Sequence, residues 1–365
     1  MLGRRAPVRV SSLAAACLFV VASLAVALAA LEAALRLWDG IPLFSGENFV
    51  AKRIDIIRAN GGPVVHDALL GWKLTDNFGG PGFLTGEYGI RMNSDAVTPP
   101  VPDAILAVGD SFTAGSEVVN SETFPAHLER LLGRRVLNAA SGAWGVDQMV
   151  LRAEQLIPAL HPSVLVVGVF DQDIDRNNHR IFGGGAKPYF VIENGELALK
   201  GVPVPRIEKQ PDYLGFWRSL LGHSYLLDWI VQRAGLLPRL VGDRFRFERV
   251  QDDGAQISGL LMRRLAALRD RLGIRVLVVL LYSGESIDSA DSPPEWMQPT
   301  IAEARASGLE VVDMFPILRQ IYLSDHAALK RYYVMHDSNR GYGHMSSAGN
   351  LLVAQAIQAA LSALP

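Results

Sequence analysis

Ala104-Ile105-Leu106-Ala107-Val108-Gly109-Asp110-Ser111-Phe112-Thr113-Ala114-Gly115 is an apolar run that ends on a serine set among small and turn-forming residues. A continuous apolar run of this length fits a strand buried on both faces, as in a parallel sheet. Ser111 then stands at the exit of that strand, on a turn whose small neighbours let a substrate approach. A serine hydroxyl is a weak nucleophile and needs a base within hydrogen-bond reach and donors for the oxyanion it creates. Far along the chain, Gly343-His344-Met345-Ser346 opens a helical tail and supplies a histidine. A nucleophile early and a base late point to Ser–His chemistry.

Outward from this strand the sequence alternates. Thr123–Leu132 reads as a helix with Phe124, Leu128, Leu131 and Leu132 on one side, and Arg135–Leu137 as a short strand. Asp147 is a candidate cap for a helix towards Leu160, stopped by Pro162. Val164–Phe170, Val276–Leu281 and Leu309–Val312 read as further strands, and Ile257–Leu272 as an amphipathic helix. Ser346 is placed to cap a last helix from Ser347 to about Leu361. Strands alternating with helices predict an α/β fold with a doubly wound parallel sheet. Ligands of such sheets bind at the C-terminal strand ends. Ser111, Gly142, Asp171 and Asp313 all follow strand ends and are expected along that edge.

Three segments depart from the alternation. Arg4, Arg5 and Arg9 precede a charge-free run from Val10 to Leu31, closed by Glu32 and Arg36. Its length suffices to span a bilayer, and the arginines set the cytoplasmic side. An uncleaved single-pass anchor over residues 1–38 is expected, with the body periplasmic and the inner membrane as a partner. A signal peptide cleaved at Ala27-Leu28-Ala29 is the competing reading, and it too exports the body. Residues 39–102, with Gly61-Gly62-Pro63 and Gly79-Gly80-Pro81-Gly82, read as an irregular juxtamembrane region. The main domain then covers 103–365, with an insertion at about 179–250 carrying Phe216, Trp217, Tyr225 and Trp229. The insertion is either a cap over the site or a peripheral helix pair burying its own aromatics.

Among the 365 residues, 35 Lys and Arg against 37 Asp and Glu give a net charge of −2, which favours no nucleic-acid partner. Cys17, the one cysteine, lies in the apolar run, so the body has neither disulfide nor thiolate site. Asp171, Asp173 and Asp175 mimic the start of a calcium loop, but Arg176 and Phe182 stand where Gly and Glu are required. His336, Asp337 and His344 lack a further ligand for a metal. No metal or cofactor is expected. His66, His127, His161 and His223 have no partner pattern.

Gly109-Asp110-Ser111-Phe112-Thr113-Ala114-Gly115 resembles the first block of the SGNH (GDSL-type) hydrolases, with Phe in place of the name-giving Leu. Asn138-Ala139-Ala140-Ser141-Gly142-Ala143-Trp144-Gly145 resembles the second block, and His344 with Met345-Ser346-Ser347-Ala348-Gly349-Asn350 the last. Leu70-Gly71-Trp72 and the anchor are similar to membrane-anchored extracytoplasmic members. The resemblance spans about Ala104 to Leu361 and implies a three-layer, flavodoxin-like hydrolase fold. It implies Ser111 as nucleophile, His344 as base, and an oxyanion hole from the N–H groups of Ser111 and Gly142. It also implies an ester of carbohydrate or lipid as substrate, an acetylated extracytoplasmic polysaccharide first among them. Water as acceptor would make an esterase, a sugar hydroxyl an acyltransferase.

Two departures from the family pattern stand out. Gln172 takes the place of the third block's asparagine, with a side-chain N–H still able to donate to an oxyanion. Gly341 stands three before His344, where the family places aspartate. Asp337 is the nearest upstream acid and the expected orienting partner, a backbone carbonyl being the other option. The same departures motivate an alternative of another class, an inactive hydrolase-like fold serving as a glycan-binding or scaffold protein.

Overall fold

Five strands form one parallel sheet in a computed structural model of the chain, which describes residues 12–49, 64–206, 215–234, 247–335 and 341–363. They are β1 (Ile105–Gly109), β2 (Val136–Asn138), β3 (Val164–Phe170), β4 (Arg275–Leu281) and β5 (Glu310–Asp313), in the order β5-β4-β3-β1-β2. Ile105 pairs with Val136 on one side and Val164 on the other, and Leu277 pairs with both Val166 and Glu310. β1 and β3 are buried along their whole length, as the unbroken apolar runs require of strands covered on both faces. The three-layer α/β fold and its strands follow the expected positions to within one residue.

The helices obey their end signals. Helix α1 spans Ser12–Trp38. Helix α2 (Phe124–Leu132) is capped by the Thr123 side chain on Ala126 N. Helix α3 (Val146–Leu160) ends on His161 in the left-handed region. Helices α4 (Gly215–Leu221) and α5 (Tyr225–Arg233) belong to the insertion. Helices α6 (Gly254–Leu272), α7 (Gln298–Ala306) and α8 (Met314–Ser324) follow, and α9 (Ser347–Ser362) is capped by Ser346 on Gly349 N. Such a cap is worth about 1 kcal/mol. Asp313 caps α8 in the same way. The cap of α3 differs from expectation: Gly145 is the N-cap, and Asp147 sits inside the first turn. Asp147 is wholly buried and ion-paired to a wholly buried Lys187. Lys187 Nζ also reaches the carbonyl of Pro188 at 2.9 Å and that of Arg176 at 3.2 Å.

The contacts divide the chain into two units, residues 1–54 with 212–240, and 55–211 with 241–365. This division differs from the expected segments. The stretch anticipated as irregular, 39–102, contains an antiparallel hairpin, Val64–Asp67 with Gly71–Leu74, inside the larger unit. Leu70, Ile90 and Met92 from that stretch are buried in the main core. Gly61-Gly62-Pro63 lies outside the described residues; Pro81 and Gly82 form a turn between the short strands Gly79–Gly80 and Phe83–Leu84, and the apolar residues named above are core. The insertion likewise splits between the units. Its first half carries the hairpin Tyr189–Glu193 with Glu196–Lys200 in the larger unit, while α4 and α5 belong with α1.

Helix α1 is long and apolar enough to cross a membrane, and its most apolar 18-residue window has a mean hydropathy of 2.6. Ala27-Leu28-Ala29 lies inside this continuous helix.

Lys187→Met would leave the Asp147 carboxylate buried without its partner. Removing one member of a buried pair costs about 3–5 kcal/mol. A clear fall in melting temperature is expected, partly restored in the double variant Asp147→Asn, Lys187→Met, as measured by thermal unfolding of the detergent-solubilised chain.

Candidate active site

Ser111 opens a single helical turn, Ser111–Ala114, directly after β1. Asp110 caps it by accepting from Phe112 N at 2.9 Å. The turn can sit this close to the sheet because β1 ends on Gly109, beside Gly168 of β3. A Cβ at Gly109 would lie 2.0 Å from Thr113 Oγ1, so the Thr113 side chain occupies the space any larger residue would need. Asn138, at the end of β2, donates from Nδ2 to Thr113 O at 3.1 Å and fixes the turn from the other side. The first two sequence blocks are thus one packed unit.

His344 comes from the strand Tyr342–Met345, just before α9. Asn350 locks this approach. Its Nδ2 donates to the carbonyls of Met345 and Ser346, both at 3.0 Å, while its Oδ1 accepts from Phe124 N of α2 at 2.9 Å. His344 Nε2 lies 2.9 Å from Ser111 Oγ. Phe112 stacks on Phe170 at 3.9 Å between ring centroids and packs against the His344 ring at 5.1 Å. The phenylalanine in the leucine's place therefore builds an apolar wall for the imidazole.

The other imidazole nitrogen meets a residue that the sequence did not single out. Glu117 Oε2 lies 3.0 Å from His344 Nδ1 and accepts from His344 N at 2.9 Å. A carboxylate only accepts, so this contact places the imidazole proton on Nδ1 and leaves Nε2 to accept from the serine. Glu117 itself has a φ of 71°, a left-handed backbone that is costly for a non-glycine residue. Arg91 holds the loop in that shape. Its Nη1 donates to the carbonyls of Ala114 (2.7 Å) and Gly115 (2.6 Å), and its Nη2 to those of Val118 (2.7 Å) and Gly82 (3.1 Å). Burial lowers the Arg91 guanidinium to about 10, so it stays charged at neutral pH. The expected Asp337 lies outside the described residues, as does His336.

Gly142 follows β2 on the same edge as Ser111. Its carbonyl accepts from Trp72 Nε1 at 3.0 Å, and Trp144 Nε1 donates to Trp72 O at 3.0 Å. Two indoles thus pin the loop, and Ala143 is held at a φ of 64°. The Leu70-Gly71-Trp72 stretch belongs to the scaffold of the site. Gln172 follows β3 on that edge and is exposed. Asp171 before it is buried and accepts from Ser286 Oγ at 2.6 Å and Ser283 N at 3.1 Å. Burial raises its pKa and outweighs these bonds, which act to lower it.

A buried charge network lies beneath the serine. Asp110 Oδ2 lies 3.2 Å from Ser111 Oγ, whose one proton goes to the nearer His344 Nε2, and accepts from Arg176 Nη1 at 3.0 Å. Arg176 Nη1 also donates to Asp173 Oδ1 at 2.5 Å and Trp144 O at 2.9 Å. Burial, followed by the Asp110 charge, raises the Asp173 carboxyl well above its usual range. Of the aspartates that mimic a calcium loop, Asp173 thus joins Asp110 around Arg176, while Asp171 is held by Ser283 and Ser286 and Asp175 pairs with Arg249. Among the described residues, no three or more His, Cys, Asp or Glu are grouped to hold a metal ion.

No protein-family model matches the chain, and no curated protein matches it. Among solved structures, the chain is similar to the acetyl xylan esterase AlAXEase, with 13% identity, a TM-score of 0.42, and coverage of 71% of this chain and 99% of that one. It is also similar to a catalytic mutant of Axe2, an acetylxylan esterase from Geobacillus stearothermophilus, with 14% identity, a TM-score of 0.40, and coverage of 73% and 97%. TesA matches with 12% identity, a TM-score of 0.37, and coverage of 72% and 99%.

An acid with a raised folded pKa binds more protons folded than unfolded. The stability this gives is lost as pH rises from the ordinary aspartate range, about 4. Wild type should therefore lose stability relative to Asp173→Asn between about pH 4 and pH 7. Paired thermal melts across that range check the sign.

Proposed function

We propose that the chain is a serine ester hydrolase or O-acyltransferase. The observation that carries this is the relay of contacts from Ser111 Oγ to His344 Nε2 at 2.9 Å and from His344 Nδ1 to Glu117 Oε2 at 3.0 Å. Ser111 attacks the acyl carbonyl while His344 Nε2 takes its proton. The resulting imidazolium is stabilised by a carboxylate on Nδ1, and the proton passes to the leaving alcohol. Water or a second hydroxyl then attacks the acyl-enzyme, with His344 again as base. The N–H groups of Ser111 and Gly142, with the Gln172 amide, are the donors assigned to the oxyanion.

Glu117, on geometric grounds, is the orienting carboxylate, in the role the sequence pattern gave to Asp337. It acts through His344 and is a positioning residue. The substrate assigned is an O-acyl, foremost O-acetyl, ester of an extracytoplasmic carbohydrate or lipid. This follows the sequence blocks together with the apolar α1, which anchors the body outside the inner membrane.

Ser111→Ala and His344→Ala should each lower turnover of an activated ester on the order of 10³-fold or more, because such residues act as a unit. Glu117→Gln should lower kcat far more than it changes KM, while Asp337→Asn stays near wild type. A silent Glu117→Gln beside an impaired Asp337→Asn would return the role to Asp337. Wild-type turnover in Ser111→Ala, or no labelling of wild type by a fluorophosphonate, would remove the catalytic assignment.

For location, the intact chain should remain with the membrane fraction after carbonate washing. A soluble mature protein beginning near Ala30 would identify the segment as a cleaved signal.

A further inference from the structure

The smaller unit is built around the last turns of α1. Glu32 lies one residue past the charge-free run. Its carboxylate accepts from Tyr225 N (2.8 Å), Leu226 N (2.7 Å) and Ser224 Oγ (2.9 Å). The two N–H groups belong to the first turn of α5, where an acceptor is otherwise missing. One turn on, Arg36 Nε donates to Glu32 Oε1 at 2.6 Å, and its Nη2 donates to His223 O at 2.8 Å. Both side chains are largely shielded, with 7% and 22% exposure for Arg36 and Glu32. Tyr225 Oη donates to Asp39 Oδ2 at 2.5 Å. The strap beyond α1 closes the clamp: Phe49 N donates to Gly222 O at 2.8 Å, and the Phe49 ring meets Tyr225 edge-on at 5.2 Å. Helices α4 and α5 are therefore fastened to the end of α1 by charged and backbone groups.

That fastening fixes their level. The run from Val10 to Leu31, as a helix rising about 1.5 Å per residue, matches a hydrocarbon core about 30 Å thick. Glu32 then falls at the hydrocarbon edge, where an unpaired carboxylate would be costly and where α5 supplies its partners. The unit also exposes large apolar side chains. Phe44 is 99% exposed, Trp38 88% and Phe216 70%, with Leu37, Leu221 and Ile230 also open. Aromatic residues concentrate at membrane–water interfaces, and short amphipathic helices lie in the interface plane. Arg233, over the Trp229 ring at 4.7 Å, offers a cation beside an aromatic, a pairing suited to a phospholipid headgroup layer.

We infer that α4 and α5 form a membrane-surface collar. They lie in the headgroup boundary of the bilayer that α1 crosses, with Phe216 and Ile230 inserted among the lipids beside Trp38 and Phe44. The partner is a lipid surface. The inference rests on α1 being an uncleaved anchor, and it gives the second half of the insertion a role apart from the active site.

The test uses the full chain with Cys17→Ser, reconstituted in vesicles of phosphatidylethanolamine and phosphatidylglycerol. Single cysteines replace Phe216, Ile230, Val26 in α1, and Asp270 in the larger unit, and each carries a nitroxide. The first three positions are exposed apolar sites, and the Asp270 side chain is exposed as well, so none opens a cavity. Collisional relaxation by oxygen against a water-soluble nickel chelate reads lipid or water at each label. The collar requires an oxygen-to-nickel ratio at 216 and 230 severalfold above that at 270, approaching that at 26. Lipid at 26 with water at 216 and 230 would overturn the collar and leave the anchor standing. Water at 26 as well would remove the anchor, and the collar with it.

Discussion

A 2.9 Å contact between His344 Nε2 and Ser111 Oγ joins residues 233 positions apart, and much of the larger unit can be understood as holding that contact. The parallel sheet brings the ends of β1, β2 and β3 to one edge. Gly109 lets Thr113 fold down against the sheet, and Asn138 ties the serine's turn to β2. Asn350 does the corresponding work for the histidine, joining the start of α9 to the start of α2. Asn138 and Asn350 are both buried and spend their side-chain hydrogen bonds on backbone. Buried polar groups of this kind must be satisfied, so the arrangement tolerates few alternatives.

The sheet was legible because its strands are continuous apolar runs bounded by turn residues, a pattern that survives without tertiary information. The nucleophile and base were legible for a related reason: both sit at element ends, where the local chain direction is already set. The hairpin around Trp72 was not. Its strands are only four residues each, and the Trp72 indole between them is held by the second block's Gly142 and Trp144, far away in sequence. The insertion's division between two units was hidden as well. The acceptors for the α5 N–H groups are on Glu32, nearly two hundred residues earlier.

Glu117 escaped for a different reason. Nothing local marks a glutamate for a left-handed turn, since the intrinsic preference runs against it. The conformation is imposed by Arg91, which gathers the carbonyls of Ala114, Gly115 and Val118 around one buried guanidinium. A lone arginine in a stretch read as irregular carries no such signal. The signal in hindsight is joint: a carboxylate shortly after the serine, and the absence of one shortly before the histidine.

The Arg91 clamp also has a mechanical side. Ser111 and Glu117 ride on one short stretch of chain, and a single buried cation pins that stretch at Ala114, Gly115 and Val118. The two oxygens that flank the imidazole therefore form one rigid jaw, and the strand bearing His344 forms the other. Moving the jaws apart would therefore lengthen both imidazole contacts together.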